Sequence, residues 1–295
     1  MPGEFDFINW VRSRQKASDF LLLPPGDDLA VLKWPADDLL LVGVDQVLDG
    51  VHFDSAVHTP RQIGRKAMNR NLSDCAAMAC LPAAAVATVA LPKGAGVDHA
   101  RELYSGLREA ADPFECPVVG GDTASWDGKL VVTVTIMGRS AGVKPVTRGG
   151  AKPGDGIYVT GPLGGSLLGR HMTFKPRVSL ARALIRGGQP SAMIDLSDGL
   201  SRDLRHVCAA SGVGAIIEAD KVPVHDDAHK AFRNDRVEPL QHALHDGEDY
   251  ELLYTSREAA SNGTHVGHIV EGSSILLQTR DGLMPLEPKA WEHQL

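Results

Sequence analysis

The sequence is poor in aromatic residues, in basic charge and in long apolar runs. Only 5% of its 295 residues are aromatic, and its 37 acidic residues outnumber 30 Lys and Arg, for a formal net charge of −7. No block of basic residues interleaved with aromatics occurs, which argues against nucleic acid as a partner. No apolar run is long enough to span a membrane, and residues 1–15 contain no signal-peptide core. We therefore expect no nucleic-acid and no membrane partner.

Cysteine is also scarce. The chain has four cysteines, and no two of them form a C-x-x-C pair: Cys75, Cys80, Cys116 and Cys208. All four stand in apolar or helical contexts, which predicts reduced, buried thiols. Such thiols are typical of a cytoplasmic protein.

Apolar strand-like runs alternate with helical patterns along the whole chain. Strand-like runs occur at 39–47 and 129–139, and a helical pattern begins at the Thr59-Pro60 pair, which suits a helix start. A turn-rich, basic segment at 144–165 separates two halves of similar composition. The sequence predicts an α/β fold with α+β layers, in which helices cover one face of each sheet. It predicts two domains, 1–143 and 144–295.

The segment "MIDLSDGLSRDL" (193–204) places two carboxylates where a buried strand leads into a helix. Ser197 or Asp198 could serve as the helix N-cap, because both side chains accept hydrogen bonds from free N–H groups. Gly212 is the expected end of that helix. Capping does not account for Asp195, which alternates with Ile194 and Leu196.

Acidic residues interrupt or end six apolar segments of the chain. The acids in these segments are Asp27, Asp28, Asp45, Asp49, Asp74, Asp122, Asp195, Asp198, Asp246, Glu248 and Asp249. Each taken alone could belong to a turn, a solvated helix face or an exposed strand position. Ionised carboxylates are costly to bury without a partner, and oxygen ligands without His or Cys clusters favour Mg²⁺ over zinc. An acidic protein that binds phosphates would also need cations between the two sets of charges.

Other phosphate and hydrolase chemistries lack their motifs. The chain has no G-x-x-x-x-G-K-[ST] loop, no protein-kinase motif set, no G-x-S-x-G and no H-E-x-x-H. "GPLGGS" is glycine-rich without the dinucleotide-binding spacing, and we interpret it as a turn.

Eight segments in order resemble the thiamine-monophosphate kinase family, whose superfamily also contains aminoimidazole ribonucleotide synthetase and selenophosphate synthetase. They span residues 26 to about 255, and a weaker match, "AWEH", lies at 290–293. The segments are "GDDLAVL", "DGVHF", "NLSDCAAMA", "VVGGDT", "TRGGAKPGDGIYVTGPLGG", "AMIDLSDGLSRDL", "SGVGA" and "DGEDYELLYT".

The resemblance implies ATP-dependent phosphorylation of thiamine monophosphate to thiamine diphosphate with several Mg²⁺ ions. It implies a synthetase-like fold whose N-terminal domain binds ATP and Mg²⁺ and forms a strand-built homodimer interface, while the C-terminal domain completes the nucleotide and substrate site. No general base is needed, because the accepting phosphate oxygen is already ionised, so metal and Arg148 would assist the transfer. The metal-binding positions would be Asp28, Asp45, Asp74, Asp122, Asp195 and Asp198. The ATP-contacting positions would be Tyr104, Gly121, Arg148 and Ser197, and the substrate-binding positions His52, Glu248 and Trp291.

Three departures from the family pattern bear on the substrate. Gly43 and Val44 stand before Asp45 where the family usually has hydroxyl residues, and Asp246 replaces a glycine. The segment 166–175, "SLLGRHMTFK", is shorter than its counterparts. A related kinase acting on another phosphate monoester therefore remains an alternative, as does a non-catalytic nucleotide-binding scaffold.

Overall fold

A computed structural model describes residues 4–15, 18–19, 21–23, 30–187, 190–258 and 262–289. The chain divides into two compact units. The N-terminal unit comprises Met1–Cys75 and Cys80–Gly142, and the C-terminal unit comprises Ala76–Ala79 and Val143–Leu295.

The N-terminal unit is built on a four-stranded sheet. Its helices are α1 (Glu4–Arg12), α2 (Pro60–Ala77) and α3 (Gly96–Ala111). Two short strands, β1 (Leu21–Leu23) and β2 (Val31–Leu32), pair with each other. The main sheet has the order β3-β6-β4-β5 and consists of β3 (Leu40–Leu48), β4 (Leu81–Pro92), β5 (Val118–Trp126) and β6 (Val131–Arg139).

One face of this sheet is covered and the other is open. Strand β6 alternates between buried apolar residues such as Val132 and Val134 and half-buried Thr133 and Thr135, the period-2 pattern of a strand with one solvated face. Helices α2 and α3 cover the buried face. On the edge strand β3, three apolar side chains of the open face are 53–65% exposed: Leu40, Val42 and Val44.

The C-terminal unit is built on a seven-stranded mixed sheet of order β13-β12-β9-β11-β7-β10-β8. Its strands are β7 (Gly156–Val159), β8 (Ala192–Asp195), β9 (Gly214–Glu218), β10 (Leu252–Ser256), β11 (Thr264–Val270), β12 (Ile275–Thr279) and β13 (Gly282–Pro285). Its helices are α4 (Val178–Gly187), α5 (Leu200–Ser211), α6 (Asp226–Asp235) and α7 (Pro239–His245). The expected α/β layers are confirmed in both units.

Helix α5 is fixed to this sheet by its apolar side. Leu200 and Leu204 are fully buried in the core of the unit, and Gly212 ends the helix in a left-handed conformation, as predicted. The N-cap position is Gly199, without a side-chain cap. The expectation that Ser197 or Asp198 caps this helix is therefore wrong, and helix capping does not explain either residue.

No helix within the described ranges combines the length and the apolar character that crossing a bilayer requires. All four cysteines are buried free thiols.

Candidate functional site

The junction of β8 and α5 brings three carboxylates together in the C-terminal unit. Strand β8 ends at Asp195, which is 5% exposed, and Asp198 follows half-buried in the connection to the helix. The third carboxylate is Asp203, which is 1% exposed in the first turns of α5. Its Oδ2 accepts a hydrogen bond of 3.1 Å from the backbone N–H of Asp198.

The carboxylates at this junction make ionisation of one another less favourable. Burial first, and then the charges of Asp195 and Asp198, raise the pKa of Asp203 well above its ordinary value. Potential ligand atoms of Asp198, Asp203 and His206 lie within 4.8 Å of one another. Sequence reasoning missed Asp203, although its position next to Leu204 and three residues after Leu200 marks the inward side of α5.

The donor set at the junction fits a hard divalent cation. Two of the three clustered groups, Asp198 and Asp203, offer carboxylate oxygens, the ligands that Mg²⁺ prefers. We therefore find the residues suited to Mg²⁺, with Asp195, Asp198 and Asp203 as the groups that would hold it.

Arg148 supplies positive charge beside the same junction. Its side chain is exposed, its charge acts on both Asp203 and His206, and its carbonyl accepts a 3.3 Å hydrogen bond from Ser211 Oγ. Burial first, and then Arg148, lower the pKa of His206, so its imidazole is neutral at neutral pH. An exposed guanidinium at an anion site suits bidentate binding of a phosphate.

The turn at 246–250 lies directly against the junction. The N–H of Glu248 donates to the carbonyl of Ser197 at 2.7 Å, and the N–H of Tyr250 donates to that of Leu196 at 2.9 Å. Gly247 has φ +74°, and a Cβ there would come within 2.6 Å of the Ser197 carbonyl. Glycine at 247 is thus required for the close approach that brings Glu248 and Ser197 together.

A second acidic group lies between β3 and α2 in the N-terminal unit. Asp45 Oδ2 accepts a 3.1 Å hydrogen bond from Arg70 Nε, and half-buried Asp74 stands one helical turn after Arg70. Gly43 lies on the same strand face as Asp45, and a Cβ there would be 3.7 Å from Asp74 Oδ2. Val44 points to the open face and is 61% exposed.

Asp122 lies elsewhere in the N-terminal unit. The register places Asp45 in one row with Val134, Ala87 and Gly121, and Asp122 in the next row. Because successive strand residues face opposite sides, Asp122 is on the open face, three strands or about 14 Å across the sheet from Asp45. The structure therefore brings Asp45 and Asp74 together and leaves Asp122 apart from them within one chain.

Gly121 has a physical reason for being glycine. A Cβ at this position would come within 1.9 Å of the Ala87 carbonyl oxygen on β4. The close pairing of β4 and β5 that presents Asp122 therefore depends on it.

The other predicted site residues of the N-terminal unit are His52 and Tyr104. His52 Nδ1 accepts the Leu48 N–H at 3.1 Å, which leaves Nε2 to carry the proton of the neutral ring. The Tyr104 ring on α3 is buried edge-to-face against Trp10, with 5.7 Å between ring centroids. Asp28 and Trp291 lie outside the described residues.

The two halves of the chain match the two domains of one protein family. The N-terminal domain of the AIR synthase related protein family matches residues 26–140, and the C-terminal domain of the same family matches residues 166–275. A thiamine-monophosphate kinase from Rhodopirellula baltica is 42% identical over 85% of this chain and 81% of its own length. The chain belongs to the thiamine-monophosphate kinase family.

Solved structures of thiamine-monophosphate kinases share the fold over nearly the whole chain. The enzyme from Stenotrophomonas maltophilia K279a is 30% identical with a TM-score of 0.81, over 93% of this chain and 96% of that one. AaThiL complexed with AMPPCP and TMP is 29% identical with a TM-score of 0.80, over 99% and 97% of the two chains. The resemblance stated from the sequence motifs is confirmed, as is the two-domain synthetase-like fold.

Proposed function

We propose that this chain transfers the terminal phosphoryl group of ATP to thiamine monophosphate and forms thiamine diphosphate. The observation that carries the proposal is the cluster of Asp198, Asp203 and His206 at the β8–α5 junction. The charges of Asp195 and Arg148 also act on Asp203 there. Family membership and the relative bound to AMPPCP, an ATP analogue, and TMP support the same reaction.

The chemistry needs charge control more than proton transfer. The accepting phosphate oxygen is already ionised, so the obstacle is repulsion between two anionic substrates. Bound Mg²⁺ would screen that repulsion and hold the reacting oxygens in line. Arg148 orients a phosphate by its guanidinium, and N–H groups at the start of the 12-residue helix α5 add to the same positive end.

We assign the remaining residues from the family resemblance of the motifs in which they stand. Asp45 and Asp74 would hold metal in the N-terminal unit, and Asp28 and Asp122 are proposed as further metal ligands. Tyr104, Gly121 and Ser197 are proposed as ATP contacts. His52, Glu248 and Trp291 are proposed as substrate contacts.

We also propose a homodimer formed through the open face of the four-stranded sheet. The exposed side chains of Leu40, Val42 and Val44 form an apolar stripe along its edge strand, and stripes of this kind mark interaction surfaces. A second copy of the chain offers the same stripe for an isologous contact. Sedimentation of the purified chain measures this directly. The four free thiols agree with a reducing, cytoplasmic location.

The test of the reaction is a coupled assay for ADP release. Purified protein and Mg-ATP are combined with thiamine monophosphate, free thiamine or other phosphate monoesters. We expect turnover with thiamine monophosphate alone, and its loss in EDTA. Turnover with a different monoester would assign the chain to a related kinase, and turnover with none would favour a nucleotide-binding scaffold.

A further inference from the structure

The turn at 246–250 adopts a backbone that needs external support. Glu248 and Tyr250 have φ values of 52° and 53°, in the left-handed region that residues with a side chain rarely occupy. Two such residues within three positions persist only where surrounding contacts determine the conformation. Glu248 is the residue proposed above to contact the substrate, so these contacts fix the backbone from which its carboxylate projects.

Asp249, the central residue of the three, points into the protein. Its side chain is 1% exposed, and both of its oxygens accept from the N–H of Gly164, at 3.0 and 3.2 Å. Arg170 Nη2 donates to Asp249 Oδ1 at 3.0 Å and to the carbonyl of Gly164 at 2.8 Å. The Arg170 guanidinium therefore links Gly164 to the turn at 246–250.

Neighbouring contacts link the same two segments. Asp246 Oδ2 accepts from the N–H of Gly165 at 2.8 Å, and Ser166 Oγ donates to the carbonyl of Gly247 at 2.6 Å. His242 Nδ1 lies 3.0 Å from Asp246. Contacts from 164–170 thus hold the turn from one side, and the carbonyls of Leu196 and Ser197 hold it from the other.

The positive charge of Arg170 is paired with carboxylates of the protein itself. Besides Asp249, its Nε lies 3.7 Å from Asp227 Oδ2, and its side chain is 19% exposed. A guanidinium between two carboxylates is a poor ligand for a further anion. Its geometry fits a positioning role better than direct contact with a phosphate.

We propose that Arg170 is a positioning residue that sets the backbone of Glu248 through its ion pair with Asp249, and thereby sets affinity for the phosphate acceptor. The expected effect on affinity rests on the proposed function. The support that Arg170 gives to the Glu248 backbone rests on the contacts alone. Loss of the guanidinium removes its hydrogen bonds to Asp249 Oδ1 and to the Gly164 carbonyl, which loosens the turn at Glu248 while the β8–α5 junction stays in place.

The test compares Arg170→Gln and Arg170→Lys with a matched control, Arg177→Gln. Arg177 also makes a partly buried ion pair in this unit, with Glu251, beyond the turn. Hydrogen exchange of the 246–250 segment is measured on the full chain without substrate. We expect exchange in Arg170→Gln to speed up by about tenfold, the effect of losing one charge-assisted hydrogen bond. We expect no such change in Arg177→Gln.

The same proteins are then assayed for turnover. Arg170→Gln should raise the KM for thiamine monophosphate by about tenfold and change the KM for ATP by less than twofold, with partial recovery in Arg170→Lys. An unchanged KM for thiamine monophosphate, or an equal rise in both KM values, overturns the proposal. If the wild-type chain shows no turnover, the proposed function fails. Exchange then decides alone: faster exchange confined to the turn supports the positioning role, and unchanged exchange overturns it.

Discussion

The two acidic groups of this chain differ in how their charge is balanced. In the N-terminal unit, Asp45 is paired with Arg70 at 3.1 Å, so the protein itself supplies a counter-charge. At the β8–α5 junction, burial first, and then the charges of Asp195 and Asp198, raise the pKa of Asp203, and Arg148 opposes this rise. The first group contains a paired counter-charge, whereas in the second both burial and neighbouring carboxylates oppose ionisation of Asp203.

The N-terminal group is therefore expected to contribute mainly to stability, and the β8–α5 junction mainly to function. A balanced carboxylate supports the fold whether or not a cation is bound, whereas a repelled one lowers the stability of the metal-free protein. Carboxylates held in repulsion are typical of functional sites. The C-terminal group is accordingly the one whose conformation Mg²⁺ should affect most.

The sharpest test of the comparison is a pair of isosteric substitutions, Asp198→Asn and Asp45→Asn. Asp198→Asn should lower kcat by about 10²- to 10³-fold, the usual effect of removing one electrostatic group from a transition state. It should also raise the melting temperature of the metal-free protein, because one repelled charge is removed. Asp45→Asn should lower that melting temperature, because its ion pair with Arg70 is lost.

Steady-state kinetics and thermal denaturation in EDTA measure both effects. Asp281→Asn, an exposed acid in the β12–β13 turn, is the matched control and should change neither. Shifts of melting temperature in the same direction for both site variants would show that the two groups are not balanced differently.

A smaller effect is expected from backbone approach in the N-terminal unit. Gly121→Ala would place a methyl group 1.9 Å from the Ala87 carbonyl oxygen, and we expect about 1–3 kcal/mol lower stability toward urea. Gly43→Ala is the matched control, because a Cβ there would have its nearest atoms 3.7 Å away. An equal loss of stability in the two variants would show that the close approach to the Ala87 carbonyl is not the cause.

The smallest effect concerns pH. Burial raises the pKa of Asp249 from 3.8 to about 7, against the opposing effects of Arg170 and the Gly164 N–H, with Asp246 raising it slightly further. Between about pH 4 and pH 7 the folded carboxyl therefore binds more protons than the unfolded one, and the free energy of unfolding falls as pH rises. Asp227 and His242 lie behind Arg170 and Asp246 and modulate the same charges.

Asp249→Asn removes this contribution. Urea denaturation at several values between pH 5 and pH 7.5 should show a less negative slope for Asp249→Asn than for the wild type, while Asp281→Asn keeps the wild-type slope. An identical slope in Asp249→Asn would show that this carboxyl is ionised throughout the range.

Local patterns in the sequence are enough to predict the strands, the helix after Asp198 and the acidic junction. Met193 and Ile194 form a continuous apolar approach to Asp195, and the spacing of Leu200, Leu204 and Val207 predicts a helix with a buried side. Gly212 ends that helix as expected. These features depend on neighbours within one or two turns, which the sequence displays directly.

Features that depend on distant pairing could not be predicted in the same way. The face on which Asp122 lies follows from a register linking β5 to β4 and β4 to β6, and a shift of one residue would reverse it. The role of Arg170 depends on a partner 79 residues away. Helices α6 and α7 are short and rich in polar residues and His, so few apolar residues mark them in the sequence.

The strand order of the N-terminal sheet has a consequence for synthesis on the ribosome. Within this sheet β3 is bonded only to β6, which ends at Arg139. Strand β3 thus leaves the ribosome about 90 residues before the strand that pairs with it, counting from their positions in the sequence. During that interval the unpaired edge is open to association with other nascent chains. Slower translation before residue 139 would lengthen the exposure, and chaperone binding to this strand would shorten it.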